Sequence, residues 1–192
     1  MKTKQRTGAR ALVEALERVG AELVFGYPGG NVVDIFDELS RAPFKFVLGR
    51  HEQGCVHMAD GYARASGRPA VVIVTSGPGL TNTITGLGAA NMDGVPMVLV
   101  CGQVPLDQIG TDAFQEADTT GLTRAVSKHN FLVHSADEIP ACLQGGAIPT
   151  ARQICRSGDG EEAGLGRLES IGVGSARRAG RGKIEKAGGS VA

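Results

Sequence analysis

Apolar positions in the first three quarters of the chain follow two alternating periods. Ala11, Leu12, Ala15, Leu16 and Val19 recur at helical spacing, and Gly20 stands where a helix stops, which predicts a first helix over 8–19. Leu23-Val24-Phe25 reads as a short strand with Gly26-Tyr27-Pro28-Gly29-Gly30 as its exit loop. Asn31 is then the expected N-cap of a helix over 32–39. Phe44-Lys45-Phe46-Val47-Leu48 supplies a second strand, and 53–66 the next helix. The nearly unbroken β-branched run at 70–75 has the pattern of a strand covered by helices on both faces, and it ends in Ser76-Gly77-Pro78-Gly79. A helix over 80–92, a fourth strand over 95–101 and a long irregular segment over 102–118 complete the pattern. Repeated strand-helix alternation predicts an α/β fold, a doubly wound parallel sheet with right-handed crossovers.

The pattern fails near Gly145. From there to Ala192 the chain holds 12 of its 29 glycines and no Phe, Tyr or Trp, and neither period persists, so a disordered or irregular C-terminal tail is expected over 145–192 after one domain over 1–144. A total of 192 residues leaves no room for a second large domain. Twenty basic against 20 acidic residues give no electrostatic case for nucleic acid or a membrane surface. The four cysteines lie far apart with no metal-type spacing, and read as reduced thiols. With no apolar stretch long enough to span a bilayer, the cytoplasm is the default expectation.

One carboxylate stands out. Arg50-His51-Glu52-Gln53-Gly54 follows the second strand after the single residue Gly49, which places Glu52 at a strand's carboxyl end, where open parallel sheets bind ligands. Alone, Glu52 reads equally as a solvated carboxylate or one that complements a helix dipole. Its neighbours add more: Met58-Ala59-Asp60-Gly61-Tyr62-Ala63-Arg64-Ala65-Ser66-Gly67 and Val71-Val72-Ile73-Val74-Thr75-Ser76-Gly77-Pro78-Gly79 follow in order. Together these blocks resemble the pyrimidine-binding domain of thiamine diphosphate enzymes. Phe25-Gly26-Tyr27-Pro28-Gly29-Gly30, Gly102-Gln103-Val104-Pro105 and Ile109-Gly110-Thr111-Asp112-Ala113-Phe114-Gln115-Glu116-Ala117-Asp118 are similar, more narrowly, to the catalytic large subunit of acetolactate synthases. The resemblance runs from about residue 8 to about residue 144.

The resemblance implies roles for particular residues. Glu52 would be catalytic, hydrogen-bonding the cofactor's pyrimidine nitrogen so that the exocyclic nitrogen can take the C2 proton. Tyr27, Pro28 and Gly29 would approach the aminopyrimidine, although Pro and Gly are also ordinary turn residues. Ser76, Gly77 and Pro78 would shape the pyrimidine pocket and a dimer contact, or form a tight turn and no more. Gln103, Phe114 and Gln115 would line the channel shared by substrate and FAD, with ordinary core burial the alternative for Phe114. His51 is either a partner of Glu52 or a histidine satisfied elsewhere. Ser157-Gly158-Asp159-Gly160 looks like the opening of the family's magnesium and diphosphate motif, but no Asn follows Asn130 to close it and no apolar strand precedes it, so no metal ligand is assigned.

The implied activity is decarboxylation of pyruvate and carboligation to a second 2-keto acid, at the head of isoleucine and valine biosynthesis. In full-length members Mg²⁺ and the diphosphate belong to another domain, and FAD is also bound. This sequence shows only the pyrimidine half, so inactivity alone is expected, as is a homodimer or a dimer with a full-length subunit. The missing continuation after residue 144 suggests a truncated or frame-shifted product. Two alternatives stay open: the pyrimidine subunit of a split thiamine diphosphate decarboxylase, and a non-catalytic dimerising module.

Overall fold

The computed structural model describes residues 7–145 and 154–155. Helix α1 (Gly8–Arg18) begins where the Thr7 hydroxyl accepts from the Arg10 amide at 3.2 Å, and it buries the predicted stripe of Ala11, Leu12, Ala15 and Leu16. Strand β1 (Leu23–Tyr27), a 3-10 turn (Gly30–Val32), α2 (Val33–Leu39) and β2 (Lys45–Leu48) follow. Next come α3 (Glu52–Ser66), β3 (Ala70–Val74), α4 (Pro78–Thr81), α5 (Ile84–Asp93) and β4 (Met97–Cys101). After a long loop holding one 3-10 turn (Leu106–Gln108) come α6 (Thr119–Arg124), α7 (Glu138–Gly145) and β5 (Ile154–Cys155).

All strand pairs are parallel, in the order β2-β1-β3-β4-β5. Alternate residues of the central strands feed two separate cores. Val71 and Ile73 of β3 pack with α1, α2 and α7, while Ala70, Val72 and Val74 pack with α3 and α5. The sheet is thus covered on both faces, which is why β3 and β4 read as continuous apolar runs with every residue buried. The doubly wound architecture is as expected. Strand order also fixes where a ligand would sit. The chain passes from β1 to β2 on one side and returns to β3 on the other, so the crevice between the carboxyl ends of β1 and β3 is the topological switch point.

Three local expectations change. Asn31 is not a helix cap: it lies inside the 3-10 turn, and its side chain is committed elsewhere. The single helix over 80–92 is two helices, α4 and α5, separated at Asn82 and Thr83. The Thr83 hydroxyl donates to the Leu80 carbonyl at 2.6 Å and the Thr81 hydroxyl to the Pro78 carbonyl at 3.2 Å, local bonds that compete with regular helical turns. Strand β4 begins at Met97 rather than Val95, because Pro96 has no N–H to give to a ladder. Of the expected tail, Ile154 and Cys155 pair with Leu99 and Val100. The remainder, including Asp159, lies outside the described residues.

Candidate functional site

Glu52 is the first residue of α3, and the helix buries Glu52, Cys55, Val56, Ala59 and Ala63 along one face. That spacing is the helical stripe facing the sheet, so the carboxylate is carried inward by the same face that packs the helix. It is only 8% exposed. His51 precedes it as N-cap, its Nδ1 accepting from the Gln53 amide at 3.2 Å, so the histidine's recorded partner is the backbone and not Glu52. Glu52 Oε2 accepts from Asn82 Nδ2 at 2.9 Å. Oε1 has no hydrogen-bond partner among the described residues.

The two glycine-rich turns meet at Thr75, the residue leaving β3. A Cβ on Gly29 would lie 2.5 Å from Thr75 Cβ, and one on Gly79 would lie 2.7 Å from Thr75 Cγ2 and 3.7 Å from Glu52 Oε1. Gly29 has extended backbone that any residue could adopt, so its constraint is the close approach alone. The contact is fastened by Asn31, whose amide N–H donates to Thr75 Oγ1 at 3.3 Å and whose Nδ2 donates to Ser76 Oγ at 2.6 Å. Ser76 is fully buried, and its Oγ is engaged in this lock. Tyr27 and Pro28 remain exposed at the lip of the first turn.

A third wall comes from the loop over 102–118. Gly77, at φ +51 and ψ −112, adopts a backbone conformation that side chains rarely tolerate, and a Cβ there would lie 2.4 Å from the Gln115 carbonyl oxygen. Gln115 itself has φ 59. Gln103 is fully buried with both ends of its amide used: Nε2 donates to the Ala117 carbonyl at 3.0 Å, and Oε1 accepts from the Val104 amide at 3.1 Å. It closes the base of the loop and does not present a free amide to a channel. Phe114 is 87% exposed at the tip, so it is not core in this chain. Pro78 is exposed at the first position of α4. The structure therefore brings Glu52, Gly29, Ser76, Gly77 and Gln115 to one end of the sheet, with Tyr27, Pro28 and Phe114 at its rim.

Four contributors escaped the sequence reading: Asn31, Thr75, Asn82 and Glu116. The only available signals were a hydroxyl ending a buried strand, polar residues flanking glycine-rich turns and an acid closing a loop. Glu116 holds that loop. Its carboxylate accepts from the Gly110 amide in a short contact and from the Ala113 amide at 3.0 Å, and the Gly110 bond above all holds its pKa below the ordinary carboxylate value. A lowered folded-state pKa means the stabilisation is complete above the unfolded value and is lost as pH falls through the folded one. Acidification below about pH 4 is therefore expected to loosen residues 110–116 ahead of global unfolding. Amide hydrogen exchange at Gly110 and Ala113 against pH checks this, with Glu116→Gln showing the loosening already at neutral pH.

At the opposite end of the sheet lies an open hollow of about 500 Å³, lined by Ala21, Glu22, Leu23, Pro43, Lys45 and Tyr62. None of the residues that converge on Glu52 lines it. Among the described residues, no cluster of three or more His, Cys, Asp or Glu is arranged to hold a metal ion, and no helix is long and apolar enough to cross a membrane.

Comparison with known proteins agrees with this geometry. Residues 6–122 match the family described as thiamine pyrophosphate enzyme, N-terminal TPP binding domain. The acetolactate synthase large subunit of Haemophilus influenzae is 51% identical over 142 residues, which is 73% of this chain and 25% of that protein. The mitochondrial acetolactate synthase catalytic subunit of Saccharomyces cerevisiae is 52% identical over 135 residues, 70% of this chain and 20% of that protein. The chloroplastic acetolactate synthase of Arabidopsis thaliana is 52% identical over 140 residues, covering 72% and 21% respectively. The chain spans about a quarter or less of the length of these relatives.

Proposed function

Because this chain belongs to the thiamine pyrophosphate enzymes through their N-terminal TPP-binding domain, we propose that it supplies the pyrimidine half of an acetolactate synthase site. Glu52 would be its proton-handling group. The single observation that supports this most is the carboxylate's placement: buried at the switch point, held through one oxygen, with the other facing Gly79, where any side chain would intrude. A flat heteroaromatic ring with a basic nitrogen fits such a site, since the carboxylate can share a proton with it while the glycines leave room for its faces.

Thiamine diphosphate, when bound, would supply a carbon acid that attacks a 2-keto acid once its proton has been removed, and a cationic ring that takes up the electron pair left by carbon dioxide. The contribution of this chain is narrower. Glu52 holds a proton at the ring nitrogen, Asn31 and Thr75 fix the distance between the two turns, and Glu116 keeps the third wall closed. Pyruvate and a second 2-keto acid would be the substrates, as for the similar synthases. Mg²⁺ and FAD would be held largely by parts of the longer relatives that this sequence does not match. Phe114, exposed at the rim, would be covered by a second subunit, either another copy or a full-length synthase chain. Buried, unbridged Cys55 and Cys101 accord with a reducing cytoplasm.

The purified 192-residue chain is expected to form no acetolactate from pyruvate, even with thiamine diphosphate, Mg²⁺ and FAD present. Mixing it with a full-length synthase subunit and separating by size is expected to give a mixed dimer. Robust acetolactate formation by the chain alone would overturn the half-site reading, and failure to associate would remove the assigned partner.

A further inference from the structure

Glu52 has a neighbour whose placement depends on a break in a helix. Asn82 follows the four residues of α4, and its own N–H returns to the Pro78 carbonyl at 3.1 Å, so the side chain leaves the end of a very short, Pro-started turn. That turn is anchored to the floor by Gly79, whose missing side chain lets it lie against Thr75. The helix would otherwise run on into α5. The threonine hydroxyl bonds to Pro78 and Leu80 interrupt it where Asn82 must turn toward α3. The result is a 2.9 Å contact between Asn82 Nδ2 and Glu52 Oε2 across 30 residues of sequence.

We propose that Asn82 is the positioning residue for Glu52, selecting which carboxylate oxygen meets the aminopyrimidine; this rests on the pyrimidine-site reading above. An ionised carboxylate only accepts hydrogen bonds, so the amide group facing it is the NH₂ end, and the orientation of Asn82 is fixed by chemistry. By occupying Oε2, the amide holds the carboxylate plane and leaves Oε1, on the Gly79 side, as the oxygen free to take or give a proton. The donor's neutrality matters as much as its place. A lysine or arginine here would bind the ionised form strongly and hold it unprotonated, whereas an apolar residue would leave a buried oxygen unpaired. A primary amide does neither, so the carboxyl can pass between its two protonation states without losing its orientation.

The test uses the whole chain, with the free hydroxymethyl aminopyrimidine of thiamine as probe. In ¹H–¹⁵N spectra the Asn82 side-chain amide, 2.9 Å from Glu52 Oε2, is expected to shift as the probe is added, and that shift is expected to vanish in Glu52→Gln. Probe affinity is expected to fall about tenfold in Asn82→Ala, the scale of one hydrogen bond to a charged group, and below detection in Asn82→Asp, which sets a second carboxylate against the first. Both variants should keep a cooperative melt, lowered by up to about 10 °C for the unpaired or like-charged oxygen, and the wild-type far-ultraviolet circular dichroism. An Asn82 amide that stays still while the probe binds overturns the proposal. So do Asn82 variants that bind the probe like wild type while Glu52→Gln does not; the pyrimidine-site reading then survives without it. Probe binding indifferent to Glu52→Gln, or no binding at all, removes the reading and the proposal together.

Discussion

Changing Glu52 to glutamine is expected to leave the fold intact and to remove its chemistry. The replacement keeps the side chain's shape, and its amide oxygen can still accept from Asn82 Nδ2, so the contact that spans α3 and the end of α4 persists. What disappears is a charge in a site only 8% exposed, and burial of charge is costly unless it is well paired. Thermal unfolding should therefore shift by no more than about 1 kcal/mol in stability, and upward if at all, as expected where a residue is kept for function rather than for folding. Proton transfer should suffer far more. Loss of a positioned general acid–base group costs about 10²–10⁴-fold in rate. Exchange of the C2 hydrogen of thiamine diphosphate in a mixed dimer with a full-length subunit, read by NMR after acid quench, should fall by that factor. A marked loss of stability with exchange unchanged would make Glu52 a structural carboxylate.

The largest expected effect on stability lies at Gly77. Alanine there would have to hold φ +51, ψ −112 and would place a methyl 2.4 Å from the Gln115 carbonyl oxygen. Backbone strain of this kind costs about 1–3 kcal/mol and the overlap adds to it. A total near 3 kcal/mol corresponds to a fall in melting temperature of about 10 °C for a domain of this size. The loop over 102–118 is the softer partner and should be the part that yields. Gly77→Ala is thus expected to melt earlier and to be cleaved by protease within that loop before the sheet opens. Equal melting and equal protection would show that the packing of Gly77 on Gln115 is not what closes the third wall.

The sheet was legible because strands buried on both faces write themselves as unbroken apolar runs, as 70–75 does, and α1 because its stripe repeats at the helical period. The position of Glu52 was legible for a related reason: a carboxylate in the short turn that leads from a strand into a helix has few places to go in a parallel sheet. The break between α4 and α5 was not. It depends on hydroxyl bonds from Thr81 and Thr83 to carbonyls three residues back, and nothing in the apolar pattern of 80–92 encodes those. Asn31 was read as a helix cap because caps favour asparagine, yet a bond to a serine 45 residues away prevailed over the local preference. The likeness that points Gln103 toward a channel likewise gives no sign that its amide bonds the backbone of its own loop. In each case a long-range or side-chain-to-backbone bond decided the outcome, and such bonds leave no periodic trace.

The account depends on the carboxyl end of β1 and β3 being the surface that meets the aminopyrimidine. Mapping ¹H–¹⁵N shifts while the whole chain is titrated with the free aminopyrimidine tests this most directly. The expected result is a saturable change concentrated at Gly29, Glu52, Gly79 and Asn82 that disappears in Glu52→Gln. Shifts gathered instead around Ala21, Lys45 and Tyr62, in the hollow at the other end of the sheet, would contradict it.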